Sequence, residues 1–188
     1  MNYRIEFPIS NYVVENEKTL SAYIDTTLKY KEHISSLYFP LGHVSPSLDF
    51  WGIRAPHFAY DQQHQLIREN IISWENAVHE IVEYTGLPVT ILLNNTYSPH
   101  FADPDSLALI SRKLEFYRKR FRVKQITISD TQLIPFLHDR DFPVCLSTNS
   151  HTSIADLDRI LYLNRNADFS GIVLQRDLNR RPKHVLRW

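Results

Sequence analysis

Six short apolar runs punctuate the chain, each ending in a polar cluster and most separated from the next by a helix-length amphipathic stretch. They are Tyr-Arg-Ile-Glu-Phe-Pro-Ile (3–9), Ser-Leu-Tyr-Phe-Pro (36–40), Pro-Val-Thr-Ile-Leu-Leu-Asn-Asn (88–95), Lys-Gln-Ile-Thr-Ile-Ser-Asp (124–130), Pro-Val-Cys-Leu-Ser-Thr-Asn (143–149) and Gly-Ile-Val-Leu-Gln-Arg-Asp (171–177). Runs with little alternation, interleaved with helices, predict a buried parallel sheet. Ligands of such sheets bind where the carboxyl ends of the strands meet the following loops. The tails Asn94-Asn95, Ser129-Asp130, Ser147-Thr148-Asn149 and Gln175-Arg176-Asp177 fall at that edge.

The intervening stretches carry helical spacing. Asn16 caps a predicted helix over roughly 17–33, with Leu20, Tyr23, Ile24 and Leu28 on one face. A helix over about 71–84 presents Ile71, Trp74, Val78, Ile81 and Val82, and Gly86 and Pro88 end it. Asp103-Pro104-Asp105 opens a helix to about 121, with Leu107, Ile110, Leu114 and Tyr117 toward the sheet. Its basic end, Arg112-Lys113 to Arg122, reads as a solvated face that offsets the helix dipole, with a binding patch as the alternative. The 131–141 connection holds Pro135 and allows one or two helical turns, and a last helix starts at Ser153. The 41–69 connection is too long for an ordinary βα loop, and loops of that length are commonly functional. The order βαβαβαβαβαβ defines one α/β domain over 1–188. Either an open doubly wound sheet or the first six units of a (β/α)8 barrel fits that order.

Lys plus Arg and Asp plus Glu both total 21, so no net charge draws the chain toward nucleic acid or membrane. With four glycines, no phosphate-cradling glycine motif occurs. The single cysteine, Cys145, lies in a predicted buried strand, so it cannot form an internal disulfide or hold zinc or an iron–sulfur cluster alone. The N-terminus lacks a secretory pattern, and no apolar stretch approaches the roughly 20 residues that span a bilayer. A soluble cytoplasmic protein is expected. His43, His57 and His64 share a loop with Asp61, yet no histidine pair has metal-motif spacing, and no metal site is indicated.

Arg54 and Arg176 are the leading anion-binding candidates, since a guanidinium meets a carboxylate with two hydrogen bonds and stays charged. Asn95 and Asn149 offer amide hydrogen bonds to a ligand or serve turn geometry. Asp130 fits a general base, an arginine partner or a cap for the next short helix through Thr131 and Gln132. Ser147 and Thr148 have no histidine beside them in sequence to activate a nucleophile.

Five of these segments, in order, resemble the N-terminal part of the peptidase U32-like TIM-barrel family. Leu37-Tyr38-Phe39 through Gly52-Ile53-Arg54-Ala55 is similar to its second strand and Arg-Ala segment, and 88–99 to its third strand. Ile126 to Asp130 matches the strand that ends in Asp. Leu146-Ser147-Thr148-Asn149 resembles the Ser-Thr-Gln segment, with Asn149 in place of Gln. Ile172 to Leu178 resembles Val-Val-Leu-x-Arg-Glu-Leu, with Asp177 in place of Glu. Pro8 matches a first-strand proline, without the glycine that usually follows.

The resemblance implies an α/β fold, a parallel (β/α) barrel-like domain forming an incomplete TIM barrel of six strands. It also implies binding of a small anionic metabolite at the strand ends by Arg54, Asn95, Asp130, Asn149 and Arg176, within a prephenate-dependent hydroxylation system. The family's cluster-binding cysteines follow the sixth strand, beyond this sequence, so no cofactor is expected within the chain. Activity would then need further residues or a partner chain. The alternative is a non-catalytic binding or assembly module of the same fold. Open edge strands favour a homo- or hetero-oligomer.

Overall fold

Val89, Ile91 and Leu93 alternate along one strand and are fully buried, as are Leu37 and Phe39 on its neighbour. A period of two places each set on a single face, the face covered by helices. The computed structural model describes residues 4–9, 13, 16–45, 48–50, 68–93, 99–148 and 157–173. In chain order the elements are β1 (Ile5–Pro8), α1 (Glu17–Lys29), β2 (Ile34–Pro40), β3 (His43–Ser45), β4 (Leu48–Asp49), α2 (Arg68–Thr85), β5 (Val89–Leu93), α3 (Pro104–Arg120), β6 (Val123–Ile128), α4 (Leu133–His138), β7 (Val144–Ser147), α5 (Leu157–Ala167) and β8 (Gly171–Val173).

Six of these strands form one sheet in the order β1-β2-β5-β6-β7-β8, every neighbouring pair parallel. The order never reverses, so the sheet is not doubly wound. Right-handed crossovers that all step the same way put the helices on one side. The result is a curled half-barrel with helices between its strands, the incomplete barrel expected from the sequence.

Local chemistry sets the helix ends. Asn16 Oδ1 accepts from Thr19 N at 2.9 Å and starts α1. The predicted extension to residue 33 is instead a tight 3-10 turn, Lys31–His33, entered after Tyr30 leaves helical geometry. Asp103 caps α3 by accepting from Ser106 N at 2.9 Å, with Pro104 in the first turn. Gly86 ends α2 at φ +62°, and its N–H reaches Val82 O at 2.8 Å.

Phe39 anchors the core beneath α2 and α3. Its ring meets Trp74, Tyr117 and Phe121 edge-on, with centroids 5.3, 5.6 and 5.8 Å away. Such edge-to-face pairs add about 0.5–1.5 kcal/mol each beyond area burial. The 41–69 connection begins with an antiparallel hairpin, β3 and β4, that the hydrophobic pattern did not predict.

Candidate functional site

The strands are not simply apolar. Opposite their helix-facing residues, Ser36, Tyr38 and Pro40 of β2, Thr90 and Leu92 of β5, Gln125 and Thr127 of β6, and Cys145 and Ser147 of β7 share the other face. Register aligns them in rows, Tyr38–Thr90–Gln125 and Pro40–Leu92–Thr127–Cys145–Gly171. The expectation of little alternation is therefore corrected: the inside of the curl is largely polar.

At the amino end of this face the polar groups satisfy one another. Glu6 Oε1, on β1, accepts from Ser36 Oγ at 2.8 Å, Thr90 Oγ1 at 2.9 Å and Gln125 Nε2 at 3.2 Å. Lys124 Nζ lies 3.5 Å from the same oxygen. Ser170 Oγ is shared between Gln125 Oε1 at 3.2 Å and Val144 O at 2.9 Å. Burial pushes the Cys145 thiol up, and a hydrogen bond with Thr127 offsets part of that. This end is a closed structural network.

The carboxyl end differs. Ser129, Asp130, Ser147 and Thr148 are all buried there. Asp130 Oδ1 accepts from Gln132 N at 2.9 Å, the short-range turn contact anticipated for it. Asp130 Oδ2 is buried and has no hydrogen-bond partner among the described residues. Leaving a buried carboxylate oxygen unpaired costs about 1–3 kcal/mol or more. Thr148 is committed elsewhere, since its N–H and hydroxyl both reach Val173 O, at 2.8 and 3.0 Å. These bonds tie β8 to β7 beyond the last ladder pair.

Of the five candidates read from the sequence, Asp130 is at this edge. Arg54, Asn95, Asn149 and Arg176 lie outside the described residues, as do His57 and His64. The Glu6 network was missed, although Gln125-x-Thr127-x-Ser129 carries its period-two signal. Among the described residues, no group of three or more His, Cys, Asp or Glu side chains is arranged to hold a metal ion. A cluster needs several thiolates, and the single cysteine sits inside β7, so this chain's residues do not fit an iron–sulfur group. Among the described residues no helix is long and apolar enough to cross a membrane.

One further reading needs correction. The basic face of α3 is not merely solvated: Lys113 pairs with Glu75. Arg118, Arg120 and Arg122 donate to Arg140 O, Asn76 Oδ1 and Gly86 O. His79 on α2 is half-buried, with its Nδ1 turned inward and its ring 6.3 Å from that of Phe121.

No protein-family model matches this sequence, and a search of curated proteins finds no match. Among solved structures, 6-hydroxypseudooxynicotine amine oxidase of Pseudomonas geniculata N1 aligns with 89% of this chain at 14% identity and a TM-score of 0.48. The alignment covers 27% of that protein, so the chain spans about a quarter of its length.

Proposed function

We propose that this chain is a U32-like binding domain for a small anionic metabolite, specifically a hydroxylated carboxylic acid, at the carboxyl ends of its strands. The observation that carries the reading is the unpaired, buried Oδ2 of Asp130 at the end of β6. A carboxylate accepts hydrogen bonds only, so its complement is a donor such as a substrate hydroxyl. Arg54 and Arg176 supply the cations for the ligand's carboxylates, and Asn95 and Asn149 orient it. The reading assigns binding to this chain and leaves any prephenate-dependent hydroxylation to residues outside it.

Calorimetric titration with malate and with prephenate tests the proposal. Wild type is expected to bind, and Arg176→Ala and Asp130→Asn each to weaken binding at least about tenfold, the equivalent of roughly 1.4 kcal/mol. Melting temperatures should stay nearly unchanged. A large stability loss in Arg176→Ala without a ligand effect would assign that arginine to a structural ion pair and sink the reading.

The same reading includes association. Among the described residues nothing pairs with the outer edges of β1 and β8, where Ile5 and Val173 are 56% and 46% exposed. Open edges promote pairing with another chain. Sedimentation should show a dimer, and a monomer at high concentration would count against it.

A further inference from the structure

On the helix side of the sheet, away from the polar face, β3, α2 and α3 border an open groove of about 340 Å³. That volume lies at the small end of ordinary ligand sites, which run about 300–1,000 Å³. Val44, Leu109 and Phe116 give it an apolar wall, and Phe116 is 41% exposed.

The charges in the groove do not cancel. Its one carboxylate, Glu75, is buried and already engaged: Lys113 Nζ and Tyr117 Oη both bond its Oε1. Lys113 is also held over the rings of Phe116 and Tyr117, 5.7 and 5.0 Å from their centroids. Arg112, one residue earlier on α3, lines the groove with no hydrogen-bond or ion-pair partner among the described residues. An unpaired guanidinium beside an exposed ring and an aliphatic wall complements an anion with an apolar body.

We infer that this groove binds a small carboxylic acid with a flat or short apolar body, its carboxylate on Arg112 and its body across Phe116 and Leu109. A guanidinium meets a carboxylate through two parallel hydrogen bonds, which fixes the orientation of the acid. Glu75, clamped by Lys113 and Tyr117, keeps the floor rigid and leaves its charge neutralised rather than opposed to the ligand. The site is independent of Asp130 and of the strand ends.

The test uses phenylacetate as the probe and backbone amide chemical shifts as the readout. Shifts confined to residues 43–45 and 109–116, with saturation, are the expected result. Arg112→Gln should weaken binding at least tenfold, and so should replacing the acid by uncharged 2-phenylethanol. Phe116→Ala should weaken phenylacetate more than it weakens acetate. Equal affinity of Arg112→Gln and wild type would overturn the inference. So would shifts centred on Asp130, or no saturable shift at millimolar probe. Arg112 is exposed, so loss of folding does not confound the variant, and unchanged thermal melting verifies this.

Discussion

Tyr117 Oη lies 3.0 Å from Glu75 Oε1 and 3.2 Å from Leu41 O, so one hydroxyl on α3 reaches both α2 and the residue that follows β2. Burial first, and then the charge of Glu75, push the Tyr117 phenol well above its usual 10.0. Burial raises Tyr23 in the same direction. The unfolded chain therefore loses these protons before the folded one does. Their contribution to stability is complete below pH 10.0 and is lost as pH rises from there through the folded values. Urea midpoints at about pH 9 and about pH 11 should show this fall, and Tyr117→Phe should make it shallower.

Lys113 is the counter-charge of a carboxylate whose side chain is 9% exposed. Lys113→Met strands that charge among apolar groups, with Tyr117 left as its hydrogen-bond donor among the described residues, and should cost about 3 kcal/mol. Adding Glu75→Gln should recover much of the loss, because the burial penalty falls when the charge goes. Chemical denaturation of the two single variants and the double variant measures the coupling.

At Gly86 the backbone sits at φ +62°, and an added Cβ would meet only Lys31 Nζ at 3.6 Å. Space is not the obstacle, so Gly86→Ala should register the left-handed conformation alone, about 1–2 kcal/mol. The loss should appear as a lower melting temperature.

Cys145 is buried in β7, and its thiol is shifted away from the reactive thiolate by that burial. Iodoacetamide should modify it on the order of 100-fold more slowly in the folded protein than in urea. Comparable rates would mean that the inside of the curl opens readily.

The fold was legible because each apolar run marked a strand and α1, α2 and α3 each carried a three- and four-residue apolar stripe. The polar tails ran past the ladders: 88–95 contains β5 at Val89–Leu93, and 124–130 overruns the end of β6 at Ile128. The two-faced character was obscured because Tyr38, Leu92 and Cys145 occupy positions on the polar face and mask the period of two. The hairpin was invisible for another reason, since strands of three and two residues carry no readable pattern. On α3 the basic run revealed charge but not reach. Lys113, Arg118, Arg120 and Arg122 find partners beyond the helix, which local spacing does not encode. For Asp130 the turn to Gln132 was local and readable, whereas the isolation of Oδ2 depends on tertiary burial.

Each strand of the main sheet lies beside the one before it in that sheet, and this makes tolerance to shortening graded along the chain. Removing β8 and α5 takes away one border and leaves the β1-β2-β5-β6-β7 pairings whole. Removing β5 instead cuts the sheet into a pair and a trio with no shared ladder. The same grammar runs outward: a further strand added beside β8 would extend the order without rethreading anything already built. The domain is thus modular in one dimension, able to be trimmed or lengthened at its margins while its middle stays indispensable.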